Sequence, residues 1–151
     1  MEKKEFRILI DSPRETVWQV LWDDKTYREW TSAFAPGSWA KTDWKKGSKV
    51  YFMDAENCGM LSSVAENIPN EYMSFEHLGY VKEGKEDTES PEVKEWAGAH
   101  ENYTLKAVDG KTELVVHTDI VESHMEYFNN TWPKALEKLK EIAEGQAVVK
   151  N

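Results

Sequence analysis

Hydrophobic and polar positions change their period three times along this chain. EFRILI, residues 5–10, alternates and is rich in β-formers, which predicts a first strand. In DSPRETVWQVLW the spacing lengthens: Val17, Trp18, Leu21 and Trp22 form one helical stripe. Ser12, Pro13 and Glu15 stand where a capping box and a first-turn proline start a helix. DDKTYREW restarts under an aspartate as a second short helix bearing Tyr27 and Trp30. From Ser38 the period is two. GSKVYFMDA, GMLSSVAENI, NEYMSFEHLG, AHENYTLKAV and TELVVHTDIV are each of strand length and are parted by turn signals such as AENCG, IPN and VDGKT, which predicts an antiparallel meander. HMEYFNNTWPKALEKLKEIAEG returns to helical spacing. Its positions 125, 128, 132, 135, 136, 139, 142 and 143 fall on one stripe about a third of the circumference wide, a face suited to lying on a sheet. Pro133 removes the hydrogen bond to the Asn129 carbonyl, so a bend, a broken turn or a helix restart is expected between Asn129 and Thr131.

The order is therefore strand, two short helices, a long meander and one long C-terminal helix across the sheet, an α+β helix-grip architecture with a curved antiparallel sheet. Residues 1–145 read as a single domain, and the last six residues, 146–151, as a frayed tail. The acidic stretch from Val81 to Trp96 reads as a solvated loop or lid and not a strand.

Composition narrows the partners. A formal net charge of −9 without a basic cluster argues against nucleic acid and favours partners that are uncharged, apolar or basic. The one cysteine, Cys58, excludes an intramolecular disulfide, and no Cys/His spacing suggests zinc. MEKKEFRILIDSP lacks the pattern of a secretory signal and no apolar run reaches membrane-span length, so a cytoplasmic protein without membrane insertion is expected.

The chain carries I-x-S-P-x-E-x-V-W from Ile10 to Trp18, Tyr27-x-x-Trp30, W-x-x-G-S from Trp44 to Ser48, and E-N-I-P from Glu66 to Pro69. Further on stand E-N-Y-T-L with D-G-K-T-x-L, between Glu101 and Leu114, and W-P-x-x-L-x-x-L-K from Trp132 to Lys140. In this order and spacing, and over nearly the whole chain, they resemble the SRPBCC or START-like superfamily. Within it they are similar to the group of the activator of the 90-kDa heat-shock-protein ATPase. The resemblance implies a birch-pollen-allergen-like fold with a deep cavity between the curved sheet and the last helix, used by different relatives for lipids, polyketides, plant hormones or chaperone contact. Function does not follow from the fold.

Chemistry-bearing residues are few. Phe75 and His77 share one strand face, and Glu101, Tyr103 and Leu105 share one on a strand expected beside it. With both faces toward the cavity, His77 and Glu101 would form an acid/base or ligand-orienting pair; the alternative is a buried pair that only satisfies itself. His117, Asp119, Glu122 and His124 offer metal-type ligands, but strand and helix geometry separates them, and no metal or cofactor is expected. DGKT reads as a hairpin turn, and Cys58 as a small packing residue. Trp18, Trp22 and Trp30 read as core. The candidate lining comprises Trp39, Phe52, Phe75, His77 and Trp96 from the sheet side and its loop. Glu101, Tyr103, Phe128, Trp132 and Leu136 complete it.

Three functions are open at this point. The first is a carrier or sensor for a small, largely apolar, lipid-like or aromatic molecule. The second is a cyclase-like or hydrolase-like enzyme using His77 and Glu101. The third is a protein that contacts a chaperone or another protein partner. A monomer or weak homodimer is expected.

Overall fold

The structure, a computed structural model, describes residues 1–149 of the chain. Strand β1 (Glu2–Ile10) leads into helices α1 (Arg14–Trp22) and α2 (Asp24–Thr31). The meander then runs β2 (Trp39–Lys41), β3 (Lys49–Met53), β4 (Gly59–Ile68), β5 (Tyr72–Lys82) and β6 (Lys85–Asp87). A one-turn helix α3 (Pro91–Lys94) precedes β7 (His100–Val108) and β8 (Lys111–Ile120), and a 3₁₀ turn (Glu122–His124) opens α4 (Met125–Val149). The strands form one antiparallel sheet in the order β1-β8-β7-β5-β4-β3-β2, with β6 paired to β5 off that path. This is the helix-grip arrangement.

Alternation along the strands sorts side chains onto two faces. On the concave face Val50, Val64, Met73, Phe75, Tyr103, Leu105, Leu114 and Val116 join one core with α1, α2 and α4. The stripe of α4 supplies Trp132, Ala135, Leu136, Leu139 and Ala143, all buried, with Phe128 partly so. A second, smaller cluster of Met53, Leu61 and Val81, with Trp39, Tyr51 and Leu78 against it, lies on the opposite face. Two register shifts in the β4–β5 pair make this possible. Leu61 faces Gly79 while Ser62 faces His77, so Leu78 is an extra residue, and β5 changes faces there. His77 thus points to the concave side although Val81, four residues on, does not.

The β7–β8 turn at Asp109–Gly110 is a two-residue hairpin with φ of 51° and 80°, the positive pair that a primed turn requires and that Asp-Gly supplies.

Three expectations need correction. Pro13, not Ser12, is the N-cap of α1, and no side chain caps it; the Ser12 hydroxyl is buried without a partner, and its carbonyl accepts from Thr112 Oγ1 at 2.7 Å. The last helix runs unbroken through Pro133. Pro133 and Asn129 are both exposed, so the carbonyl that loses its amide partner faces water and the turn survives. The acidic stretch is not irregular throughout: it holds the end of β5, β6 and α3, whose cap is Ser90 Oγ accepting from Val93 N–H at 3.3 Å. Of the tail expected to fray, residues to Val149 are helical backbone and the last two lie outside the described residues.

Candidate functional site

Antiparallel pairing of β5 with β7 sets Phe75 opposite Glu101 and Met73 opposite Tyr103. His77 lies just past the end of this ladder, where its backbone N–H and C=O bond Ala99 O and Gly98 N, both at 2.8 Å. Its ring is fixed from both sides. Ser62 Oγ, on the neighbouring strand β4, is 2.7 Å from Nδ1, and Glu101 Oε1 is 3.2 Å from Nε2. Tyr103 Oη donates to the other Glu101 oxygen. A carboxylate only accepts, so Nε2 donates to Glu101, and Nδ1 pairs with the Ser62 hydroxyl, a group able to serve as either donor or acceptor. The result is a four-residue polar chain across three strands of a largely apolar face, with buried Thr118 opposite Glu101 in register. Its inner end is sealed, since Ser62 is fully buried, while 20% of the Glu101 side chain is exposed.

Two phenols feel this carboxylate. Burial, and secondarily the Glu101 charge, push the Tyr103 hydroxyl well above the ordinary phenol range; Tyr27 is raised by the same two causes in the same order. Both hydroxyls are therefore held neutral, and Tyr103 serves as a donor.

The deep cavity that the resemblance implies is filled. Trp22 meets Tyr103 at a ring-centroid distance of 4.9 Å, Trp44 at 5.0 Å and Phe75 at 5.4 Å. Phe52 meets Phe75 edge-on at 5.1 Å. Trp132 closes the other half against Phe34 at 4.9 Å, Phe6 at 5.8 Å and Tyr103 at 6.0 Å. Of the ten residues proposed as lining, His77, Glu101, Tyr103, Phe75 and Phe52 come together, with Trp132 and Leu136 in the same core. Phe128 sits half-buried at its edge beside Phe34. Trp39 does not join them: it pairs with Met53 in register and belongs to the cluster on the opposite face, its Nε1 donating to Asp54 O at 3.1 Å. Trp96, half-buried after α3, belongs to neither cluster. Ser62 is the site residue that sequence reading missed; its place next to the β4–β5 irregularity gives no periodic signal.

Open space lies at the margins. A cleft of about 180 Å³ between the α1–α2 junction and the β2–β3 arm is lined by Trp22, Asp24, Tyr27, Ala40, Thr42 and Trp44. A shallower groove of about 370 Å³ runs between α2 and α4, with Glu29, Ser32, Lys138, Glu141 and Ile142. Trp44 has φ of 62°, a left-handed conformation uncommon for a bulky aromatic residue. Its N–H donates to Thr42 Oγ1 at 3.1 Å and its carbonyl accepts from Asn67 Nδ2 at 2.8 Å. Among the described residues no helix is long and apolar enough to cross a membrane. His117 and Asp119 are engaged separately, by Glu5 and by the His100 amide.

Residues 11–144 match the family described as Activator of Hsp90 ATPase homolog 1-like protein. No curated protein sequence matches. Among solved structures, the chain is similar to the Aha1 dimer from Colwellia psychrerythraea, with a TM-score of 0.74 and 22% identity over 95% of this chain and 97% of that one. It is also similar to protein MLL2253 from Mesorhizobium loti, with a TM-score of 0.75 and 15% identity over 95% and 97% of the two chains. DynU16, a protein in the dynemicin biosynthetic locus, gives a TM-score of 0.71 and 14% identity over 95% of this chain and 48% of its own. At these identities the likeness is one of fold.

Proposed function

The chain belongs to the Activator of Hsp90 ATPase homolog 1-like family, and from that premise we propose that it is a binding module for a small, largely apolar aromatic molecule, held by its hydrogen-bonding group at Glu101. The observation that carries this reading is the polar chain Ser62–His77–Glu101–Tyr103, set into an apolar face with its carboxylate end reaching solvent. A face that served packing alone would be more stable without an ionisable pair, because desolvating such groups costs more than apolar residues of the same volume. Glu101 already accepts from His77 and Tyr103, and a carboxylate has about four lone-pair sites. The remaining capacity selects ligands that donate, such as phenols and other hydroxylated rings, and rejects carboxylates. With the interior filled, the ligand takes its place by displacing the half-buried rings of Phe34, Phe52 and Phe128.

A hydrolase-like use of the same residues is disfavoured. Ser62, His77 and Glu101 have the connectivity of a triad, yet the serine is fully buried and no substrate reaches it. The filled interior favours a second reading, a protein that works through its surface toward a chaperone or another partner. Ligand-observed NMR against hydroxylated aromatics, lipids and metabolites separates the two, with wild type and Glu101→Gln run side by side. Binding of donor-bearing aromatics that is lost in Glu101→Gln supports the binding module. Absence of any binder, or binding indifferent to Glu101→Gln, rejects it in favour of the surface reading.

A further inference from the structure

The cleft between the α1–α2 junction and the β2–β3 arm has a chemistry of its own. Two indoles and a phenol line it, Trp22, Trp44 and Tyr27, with Trp44 at 5.0 Å from Trp22 and 6.0 Å from Tyr27 by ring centroid. The remaining lining is Ala40, Thr42 and the exposed Asp24; among the described residues no lysine or arginine contributes. Electron-rich rings converging on a small space, with an acid at its edge, attract cations and repel anions. The chain's net charge of −9 acts in the same direction. Size narrows the class further. A buried apolar cavity of roughly 150 Å³ accepts benzene, so about 180 Å³ admits a group of comparable bulk and no lipid tail.

The placement of Trp44 is built rather than incidental. Its left-handed backbone is held by Thr42 and Asn67, and this turns a bulky indole into the cleft when a glycine would have served the chain more easily. Asp24 is shared with Arg28, whose Nε lies 3.1 Å from it, so the rings carry the selectivity and the carboxylate assists.

We infer that the Trp22–Tyr27–Trp44 cleft is a binding site for a quaternary or alkylated ammonium group. Tyr103 and Glu101 are not among its lining residues, although Trp22 packs on Tyr103 and the Glu101 charge reaches Tyr27, so the cleft adjoins the inner polar chain without sharing its hydrogen-bonding groups.

The test uses the whole protein and choline, with its uncharged carbon isostere, dimethylbutanol, as control. Indole N–H resonances of Trp22 and Trp44 are assigned by single Trp→Phe variants and followed through each titration. Choline is expected to give saturable shifts of both, dimethylbutanol none, and Trp44→Leu to weaken choline binding by about tenfold, in the range of cation–π attraction. The spectrum of Trp44→Leu itself reports whether the fold is kept, and the comparison of choline with its isostere needs no variant. Saturable choline shifts at Trp22 and Trp44 persist in Glu101→Gln, weakened only by the loss of a negative charge that reaches Tyr27, which separates failure here from failure of the inner site. Co-sedimentation with phosphatidylcholine vesicles then distinguishes a lipid headgroup from a free ammonium compound; either result is compatible with the site. Equal response to dimethylbutanol, no saturable shift at tens of millimolar choline, or unchanged affinity in folded Trp44→Leu overturns it.

Discussion

Trp132→Ala tests whether the space under the last helix is packed or merely covered. Trp132 is 3% exposed and touches Phe6, Trp30, Phe34 and Tyr103, rings supplied by β1, α2, the segment after it and β7. An indole buries on the order of 200 Å², which at about 25 cal/mol per Å² sets an upper bound near 5 kcal/mol. The four surrounding rings belong to separate elements of the sheet and helices and cannot all collapse into the space left behind. The loss should therefore fall at about 3–5 kcal/mol, the range for deleting a buried aromatic side chain. Urea unfolding of wild type and variant measures it: with a slope of about 2 kcal/mol per M, the midpoint drops by roughly 2 M at unchanged slope. A loss below about 1.5 kcal/mol at unchanged slope would refute the packed interior, because it would mean that the indole stands over a void and contributes little contact.

Other expectations follow from single features. Gly59→Ala should be destabilising by about 3 kcal/mol or more in the same urea assay, since a methyl there would stand 1.8 Å from the Phe52 carbonyl oxygen and force β3 from β4. Ser62→Ala should cost about 1–3 kcal/mol, because the buried Nδ1 of His77 loses its hydrogen-bond partner; a neutral result would show that the ring re-pairs elsewhere. In alkali, Tyr27 and Tyr103 stay protonated in the fold above the unfolded phenol value of about 10. The stability they contribute is complete below about pH 10 and is lost as pH rises above it, while the unfolded chain ionises. Tyrosinate absorbance and circular dichroism, recorded together, should then show that two of the six phenols ionise only as structure is lost.

Periodicity made most of the fold legible. β4 runs over GMLSSVAENI and the wide stripe of α4 lies inward, because side chains that face a core must repeat with the geometry of their element. What escaped depends on tertiary context. The capping box at Ser12–Glu15 was a local rule overridden when Ser12 turned its carbonyl to Thr112, a residue one hundred positions away. Pro133 kept its helix because the affected carbonyl faces water, which sequence spacing does not reveal. The side-chain contact of His77 with Glu101 could be reasoned from alternation and adjacency of their strands, whereas Ser62 could not, since its place opposite His77 arises from the extra residue Leu78. Trp39 was assigned to the wrong face for a related reason: a three-residue strand carries too short a pattern to fix its side.

The pairing of β1 with β8 also governs how the chain is made. Glu2 lies opposite Ile120 and Ile10 opposite Thr112, so the first strand synthesised has no partner until the last one is complete. At roughly 5–20 residues per second, a ribosome leaves β1 unpaired for on the order of ten seconds, while the meander and its aromatic face gather beside it. The end of that strand is then secured by the final helix, through Lys140 Nζ on the Leu9 carbonyl and Glu144 on the Asp11 amide. A nascent chain stalled before Lys140 would present an open sheet edge and uncovered indoles together, the kind of surface that holdase chaperones take up during translation.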